Sequence, residues 1–131
     1  MTIKRFEDLD IWKDARAICK KIHIISIETN LRNDFKLLGQ IKGSSGSIMD
    51  NIAEGFERDG NTEFRQFLSI AKGSAGETRS QLHRILDCGY IDELRFLNIK
   101  NELEQLSGKI KNFITYLNKS NFQGNKFKSG I

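Results

Sequence analysis

The chain has 131 residues, 38% hydrophobic and 29% charged, with a formal charge of +4 and a pI near 9.1. That is room for one domain with one core, and no apolar run approaches the roughly 20 residues a bilayer span needs, so a transmembrane helix is excluded. The positive excess is terminal: Lys4, Arg5, Lys119, Lys126 and Lys128 lie outside residues 6–118, where 16 basic and 17 acidic side chains nearly cancel.

The first predicted helix runs from about Asp8 to Thr29. Ile11, Ala15, Ile18, Ile22 and Ile25 alternate steps of four and three and share one stripe, which Trp12 and Cys19 widen. Residues 30–33 form a break. The second helix is expected over residues 34–58, with Leu38, Ile41, Ser45, Ile48 and Ile52 in the same rhythm. Residues 39–47 are poor in helix formers, and a flexible loop is the competing local reading there; helical phase across Leu38, Ile41 and Ile48 favours the helix. Asp59-Gly60-Asn61 is a turn signal.

A third helix should start near Thr62 and carry Phe64, Leu68, Ala71, Ala75, Thr78, Leu82 and Ile85. It should stop at Cys88-Gly89, with Tyr90 or Ile91 covering its last turn. Asp92 or Glu93 then favours the positive end of a fourth helix, whose seam is Phe96, Ile99, Leu103, Leu106, Ile110, Phe113 and Leu117. There is no proline to break any helix and no sustained period-two alternation. The expectation is an all-α fold, an antiparallel up-down-up-down four-helix bundle over residues 1–118 with a polar, flexible tail over 119–131.

One cassette occurs twice, thirty residues apart: Lys42-Gly43-Ser44-Ser45-Gly46 and Lys72-Gly73-Ser74-Ala75-Gly76. Glycine costs a helix interior about 1 kcal/mol relative to alanine, so Gly43, Gly46, Gly73 and Gly76 are expected where helices approach closely, within one subunit or between two. Asn51, Glu54, Ser74 and Glu77 fall beside small or apolar positions and are read as a polar packing network, because a buried carboxylate is costly unless paired.

The same carboxylates could in principle do acid chemistry or bind metal. A di-iron bundle, however, needs two Glu-x-x-His motifs with two further glutamates, and neither His23 nor His83 has that setting. Gly39-Gln40-Ile41-Lys42-Gly43-Ser44 lacks the residue order of a phosphate-binding loop, and Ser44 and Ser47 have no histidine base by sequence rhythm. No catalytic residue, cofactor or metal is expected. Cys19 and Cys88 have neither metal-ligand nor Cys-x-x-Cys spacing, and the N-terminal residues lack the apolar segment of a signal peptide. A reduced, cytoplasmic protein is therefore expected, with a disulfide as the alternative.

Arg65, Lys72 and Arg79 are seven residues apart and stack on one helix face, about 10.5 Å between neighbours. Arg58 extends the spacing across the turn, and Lys42 adds charge from the second helix. Such a row can follow phosphates; the alternative is a solvated face paired with Glu63, Glu77 or Asp87. No aromatics interleave to make a stacking platform.

The segments Phe6-Glu7-Asp8-Leu9-Asp10-Ile11-Trp12-Lys13-Asp14-Ala15-Arg16, Leu38-x-Gln40-Ile41, Ser47-Ile48-x-x-Asn51-Ile52-Ala53-Glu54-Gly55 and Glu63-Phe64-x-x-Phe67-Leu68-x-Ile70-Ala71-x-Gly73-Ser74-x-x-Glu77 cover most of residues 6–91. They resemble the bacterial four-helix bundle proteins associated with intervening sequences in 23S ribosomal RNA genes. The resemblance implies a ring-shaped homo-oligomer, a pentamer, with no established catalytic activity. It extends to accessory proteins of diversity-generating retroelements, which implies structured RNA, a nucleoprotein or a reverse transcriptase as partner, and no membrane. The chain departs from its relatives at Lys42-Gly43, where they often carry two basic residues, and at Met49, where they usually carry proline. The expected function is a non-enzymatic bundle that binds structured RNA or an RNA–protein complex through a basic face; the alternative is a protein–protein scaffold.

Overall fold

The four apolar stripes become four helices in a computed structural model that describes residues 3–119: α1 (Asp10–Glu28), α2 (Phe35–Glu57), α3 (Asn61–Asp87) and α4 (Glu93–Lys119). Each helix packs on its neighbours in sequence, and α4 closes back onto α1. With short turns between them, this is the antiparallel up-down-up-down bundle. The expected tail, apart from Lys119, lies outside the described residues. Two 3-10 turns, Phe6–Asp8 and Asn30–Asn33, precede α1 and α2, and Leu9 is extended between the first turn and α1.

The boundaries follow local chemistry. Asp34 caps α2, its Oδ1 accepting from the Leu37 amide at 3.3 Å, and Asp92 caps α4 in the same way, accepting from Arg95 N at 2.8 Å. Gly89 has φ +76 and ends α3 in a Schellman arrangement: Tyr90 N donates to Ile85 O at 3.1 Å and Gly89 N to Leu86 O at 2.9 Å. Tyr90 Oη then donates to Asp34 Oδ2 at 2.9 Å, tying the α3–α4 turn to the start of α2. That bond raises the Tyr90 phenol above its ordinary range, since the hydroxyl proton is what holds it beside the carboxylate.

The predicted seams of α1, α3 and α4 are buried throughout. On α2 Ile41, Ser45, Ile48 and Ile52 are buried as expected, and only the first position differs: Leu37 is buried and Leu38 only half-buried. With the cap at Asp34, Leu37 and Ile41 stand one turn apart over the core, and Leu38 falls on the flank. Residues 39–47 are helical without interruption, so the loop alternative is wrong. Aromatic rings close the far end of the core: Phe64 meets Phe56 and Phe113 edge-on, with ring centroids 5.9 and 5.3 Å away.

The glycine cassettes do not do what their composition predicted within the subunit. A Cβ built at Gly43, Gly46, Gly73 or Gly76 meets nothing within 4 Å. The residues between them face inward instead, with Ser44, Ser45, Ser74 and Ala75 buried. Helical phase then points the flanking glycines outward. Close approach happens at Gly55, where a Cβ would stand 2.6 Å from Phe67 Cβ and 3.0 Å from Phe64 Cδ1.

Two seams carry polar chemistry. Between α2 and α3, Ser44 Oγ donates to Gln81 Oε1 at 2.6 Å and lies 2.8 Å from Thr78 Oγ1. One turn on, the Ser47 and Ser74 hydroxyls are 2.9 Å apart, and Asn51 Nδ2 donates to Ser47 Oγ at 2.8 Å. The predicted polar network therefore exists for Asn51 and Ser74 only. Glu54 and Glu77 are exposed, with Glu54 held by Arg58 at 2.7 Å. They are corrected to surface residues, because their positions face away from both the core and the α2–α3 contact. Ser44, Ser47, Thr78 and Gln81 take the interior places.

Between α1 and α4 the pairing is ionic and has its own period. Asp14, Lys21 and Glu28 are seven residues apart, and so are their partners Lys109, Glu102 and Arg95. Lys109 is 2.7 Å from Asp14 and Arg95 is 2.7 Å from Glu28; Lys21 bonds Glu102 between them. The Asp14 bond raises the Lys109 ammonium above its ordinary value. Signs alternate along both helices, so sliding α4 by one heptad would set Asp14 against Glu102 and Lys21 against Arg95. Like-charge opposition of that kind disfavours the wrong register.

Candidate nucleic-acid interface

Side-chain contacts sort the five predicted basic residues into three places. Arg65 donates to Asn118 Oδ1 of α4 and to Thr62 Oγ1 at 3.4 Å. Its Nε is buried with no partner among the described residues. Seven and fourteen residues on, Lys72 and Arg79 continue the same helix line. His83, one turn beyond Arg79, meets Phe96 of α4 edge-on with ring centroids 4.8 Å apart. The row is thus bracketed at both ends by contacts to α4, and it borders the α3–α4 groove. Among the described residues, neither Lys72 nor Arg79 has a hydrogen bond or ion pair through its side chain, and Arg65 has no carboxylate partner.

The same groove has a cation that sequence spacing on α3 could not reveal. Lys111 lies seven residues before Asn118, hence on the same flank of α4. Seven further back is Glu104, already paired with Lys100 at 3.1 Å. The only signal for Lys111 in the sequence is its heptad relation to Asn118, and that relation acquires meaning once Asn118 meets Arg65.

Arg58 does not extend the row. It folds back to Glu54 at 2.7 Å, lies 4.0 Å from Glu63 and covers the Phe67 ring at 5.1 Å. The hydrogen bond to Glu54 raises its pKa, followed by the coulombic pull of Glu54 and Glu63. The seven-residue count breaks because Arg58 and Gly60 are non-helical, with Gly60 at φ +88. Lys42 is corrected as well: its position is on the α1 flank of α2, in a groove with Arg16 and Lys20.

A family profile described as 23S rRNA-intervening sequence protein matches residues 7–112. The chain belongs to this family. A solved structure of a protein of unknown function from the S23 ribosomal protein family, from Bacteroides thetaiotaomicron, is 23% identical. It superposes with a TM-score of 0.73 and covers 79% of this chain and 97% of its own; the likeness is one of fold. No functionally curated protein matches the sequence. Among the described residues no group of His, Cys, Asp and Glu could hold a metal ion. No helix there is long and apolar enough to cross a membrane, and Cys19 and Cys88 are free thiols.

Proposed function

We propose that this protein is a non-enzymatic, homo-oligomeric, cytoplasmic bundle that binds structured RNA or an RNA–protein complex through its α3–α4 face. The observation that supports the reading is the line of Arg65, Lys72 and Arg79, joined by Lys111, with Lys72 and Arg79 unspent on any carboxylate among the described residues. Cations without internal partners are the ones available to displace counterions from a phosphate backbone. No aromatic platform accompanies them, which favours recognition of shape and phosphate over base reading. A ring of five copies, as the family resemblance implies, would repeat a modest patch around an axis and convert weak contacts into avidity. The open glycines of the two cassettes are surfaces on which such copies would pack. A reverse-transcriptase-type protein is the candidate protein component of the complex.

The test is equilibrium binding to structured RNA as salt is raised, with sedimentation in the same buffers. Wild-type affinity should fall linearly on a log–log plot. Replacing Lys72, Arg79 and Lys111 by glutamine should weaken binding across all RNA sequences and flatten that slope by about two to three contacts. Unchanged affinity removes the face from the reading.

A protein–protein scaffold is the second reading, favoured by a specific feature. Ile27, Phe35 and Leu94 are 57%, 79% and 79% exposed, and the antiparallel topology brings the end of α1 and the starts of α2 and α4 to one end of the bundle. An intact oligomer that binds no RNA at low salt would favour this apolar end as the working surface.

A further inference from the structure

A groove of about 480 Å³ runs between α1 and α2, on the flank of the bundle away from the α3–α4 row. Arg16, Lys20 and Lys42 bring three cations to it, half-buried Met49 and Cys19 give it an apolar floor above the buried Ile22, and none of its lining residues is acidic. None of the three cations has an ion pair among the described residues; Arg16 only covers the Trp12 ring at 5.7 Å. The contrast with the α1–α4 seam on the other flank of α1 is sharp, since every cation there is matched by a carboxylate. Ser45, 1% exposed, puts a hydroxyl into the same groove, and its one hydrogen bond is a long 3.4 Å donation to the Lys42 carbonyl.

Helical spacing sets the dimensions. Arg16 and Lys20 are one turn apart on α1, and Lys42 and Met49 two turns apart on α2, so the groove is about 10 Å long. Its volume falls among the roughly 300–1,000 Å³ of small-ligand sites, and is too short for an additional helix of ordinary length. Three uncompensated cations call for a multivalent anion. A phosphate ester carries about −1.5 to −2 charge and three acceptor oxygens, and Arg16 offers a fork matched to them. A bare phosphate would leave half-buried Met49 and Cys19 uncovered, so the ligand should also carry an apolar, flat body.

We propose that the α1–α2 groove binds a small phosphorylated molecule of nucleotide type, with its phosphates between Arg16, Lys20 and Lys42 and its ring over Met49 and Cys19. The site is separate from the α3–α4 face and does not depend on it. A nucleotide at the end of an RNA chain offers the same chemistry, so the experiment must distinguish the two sources.

The probes are ADP, inorganic phosphate and a 5′-phosphorylated oligonucleotide, each titrated into the isotope-labelled full chain. Amide shifts locate binding, and calorimetry gives affinity. ADP should saturate, move residues around 16–23 and 42–49, and bind at least about tenfold tighter than phosphate, because ADP brings a second phosphate group to the three cations and also covers the floor. Changing Arg16, Lys20 and Lys42 to glutamine, all at exposed positions, should weaken ADP by at least about tenfold with helicity and melting unchanged. The Lys72, Arg79 and Lys111 variant should bind ADP as wild type does, whatever its effect on RNA. The proposal is overturned by unsaturable ADP shifts, by ADP and phosphate binding equally, or by shifts spread over lysines outside the groove. An oligonucleotide that occupies the groove while ADP does not would also overturn the small-molecule assignment.

Discussion

The α2–α3 and α1–α4 seams join antiparallel helices with opposite chemistry. Between α2 and α3 the contacts are hydroxyls and amides, short and largely withdrawn from water: Ser44, Thr78 and Gln81 in one cluster, Ser47, Ser74 and Asn51 in the next. Between α1 and α4 they are three ion pairs whose side chains remain substantially exposed. Buried neutral groups must satisfy one another, so they demand a fixed separation and leave little tolerance. Exposed ion pairs contribute little energy each and act mainly by penalising the wrong register. One seam specifies distance; the other specifies alignment.

The sharpest way to break the first seam is at Gly55. Gly55→Ala should destabilise the protein by about 1–3 kcal/mol, because its Cβ would meet Phe67 Cβ at 2.6 Å and helix α2 or α3 must shift. Gly43→Ala and Gly73→Ala, in the open parts of the same two helices, should each stabilise the single subunit by about 0.5–1 kcal/mol when melted at concentrations too low for copies to pack on them. Urea melts of the three variants decide the matter, and equal signs at Gly55 and Gly43 would refute the assignment of the close contact.

Within the hydroxyl cluster, Ser44→Ala should cost about 1–2 kcal/mol, since Gln81 Oε1 loses its donor in a site where Gln81 is only 7% exposed. Ser74 should respond less, because Asn51 still satisfies Ser47. Charge reversals probe the second seam and should give the smallest effects. Lys21→Glu alone, facing Glu102, should cost about 0.2–1 kcal/mol at low salt. Adding Glu102→Lys should recover most of that loss, and raising salt should shrink both differences. A double-mutant cycle with no coupling energy would show that the ladder does not set alignment.

Much of this fold is written in local patterns. The stripes on α1, α3 and α4, the stop at Gly89 and the acidic start of α4 at Asp92 depend on residues within a turn or two of one another, and local patterns expose them directly, whereas the cap at Asp34 emerged only in the structure. The α2 stripe differs from its pattern only at its first position, Leu37 in place of Leu38, where two adjacent leucines give periodicity no means to choose. The candidate interface was legible in part. Seven-residue spacing brought Arg65, Lys72 and Arg79 together, but the count could not carry Arg58 across a non-helical turn, and it could not see Lys111 on another helix.

The sequence by itself determined four helices, their order, most of the buried positions and membership in the family. Those properties come from chain-local periodicity and from motifs that need no three-dimensional context. Only the tertiary structure decided that the cassette glycines face outward, that Gly55 is the point of closest approach, and that three heptad-spaced charges on α1 meet three on α4. It also decided that Lys42 belongs with Arg16 and Lys20 and not with Arg65. Each of these depends on the register and rotation of one helix against another, and a small rotation moves a residue from contact to solvent without changing the pattern along the chain.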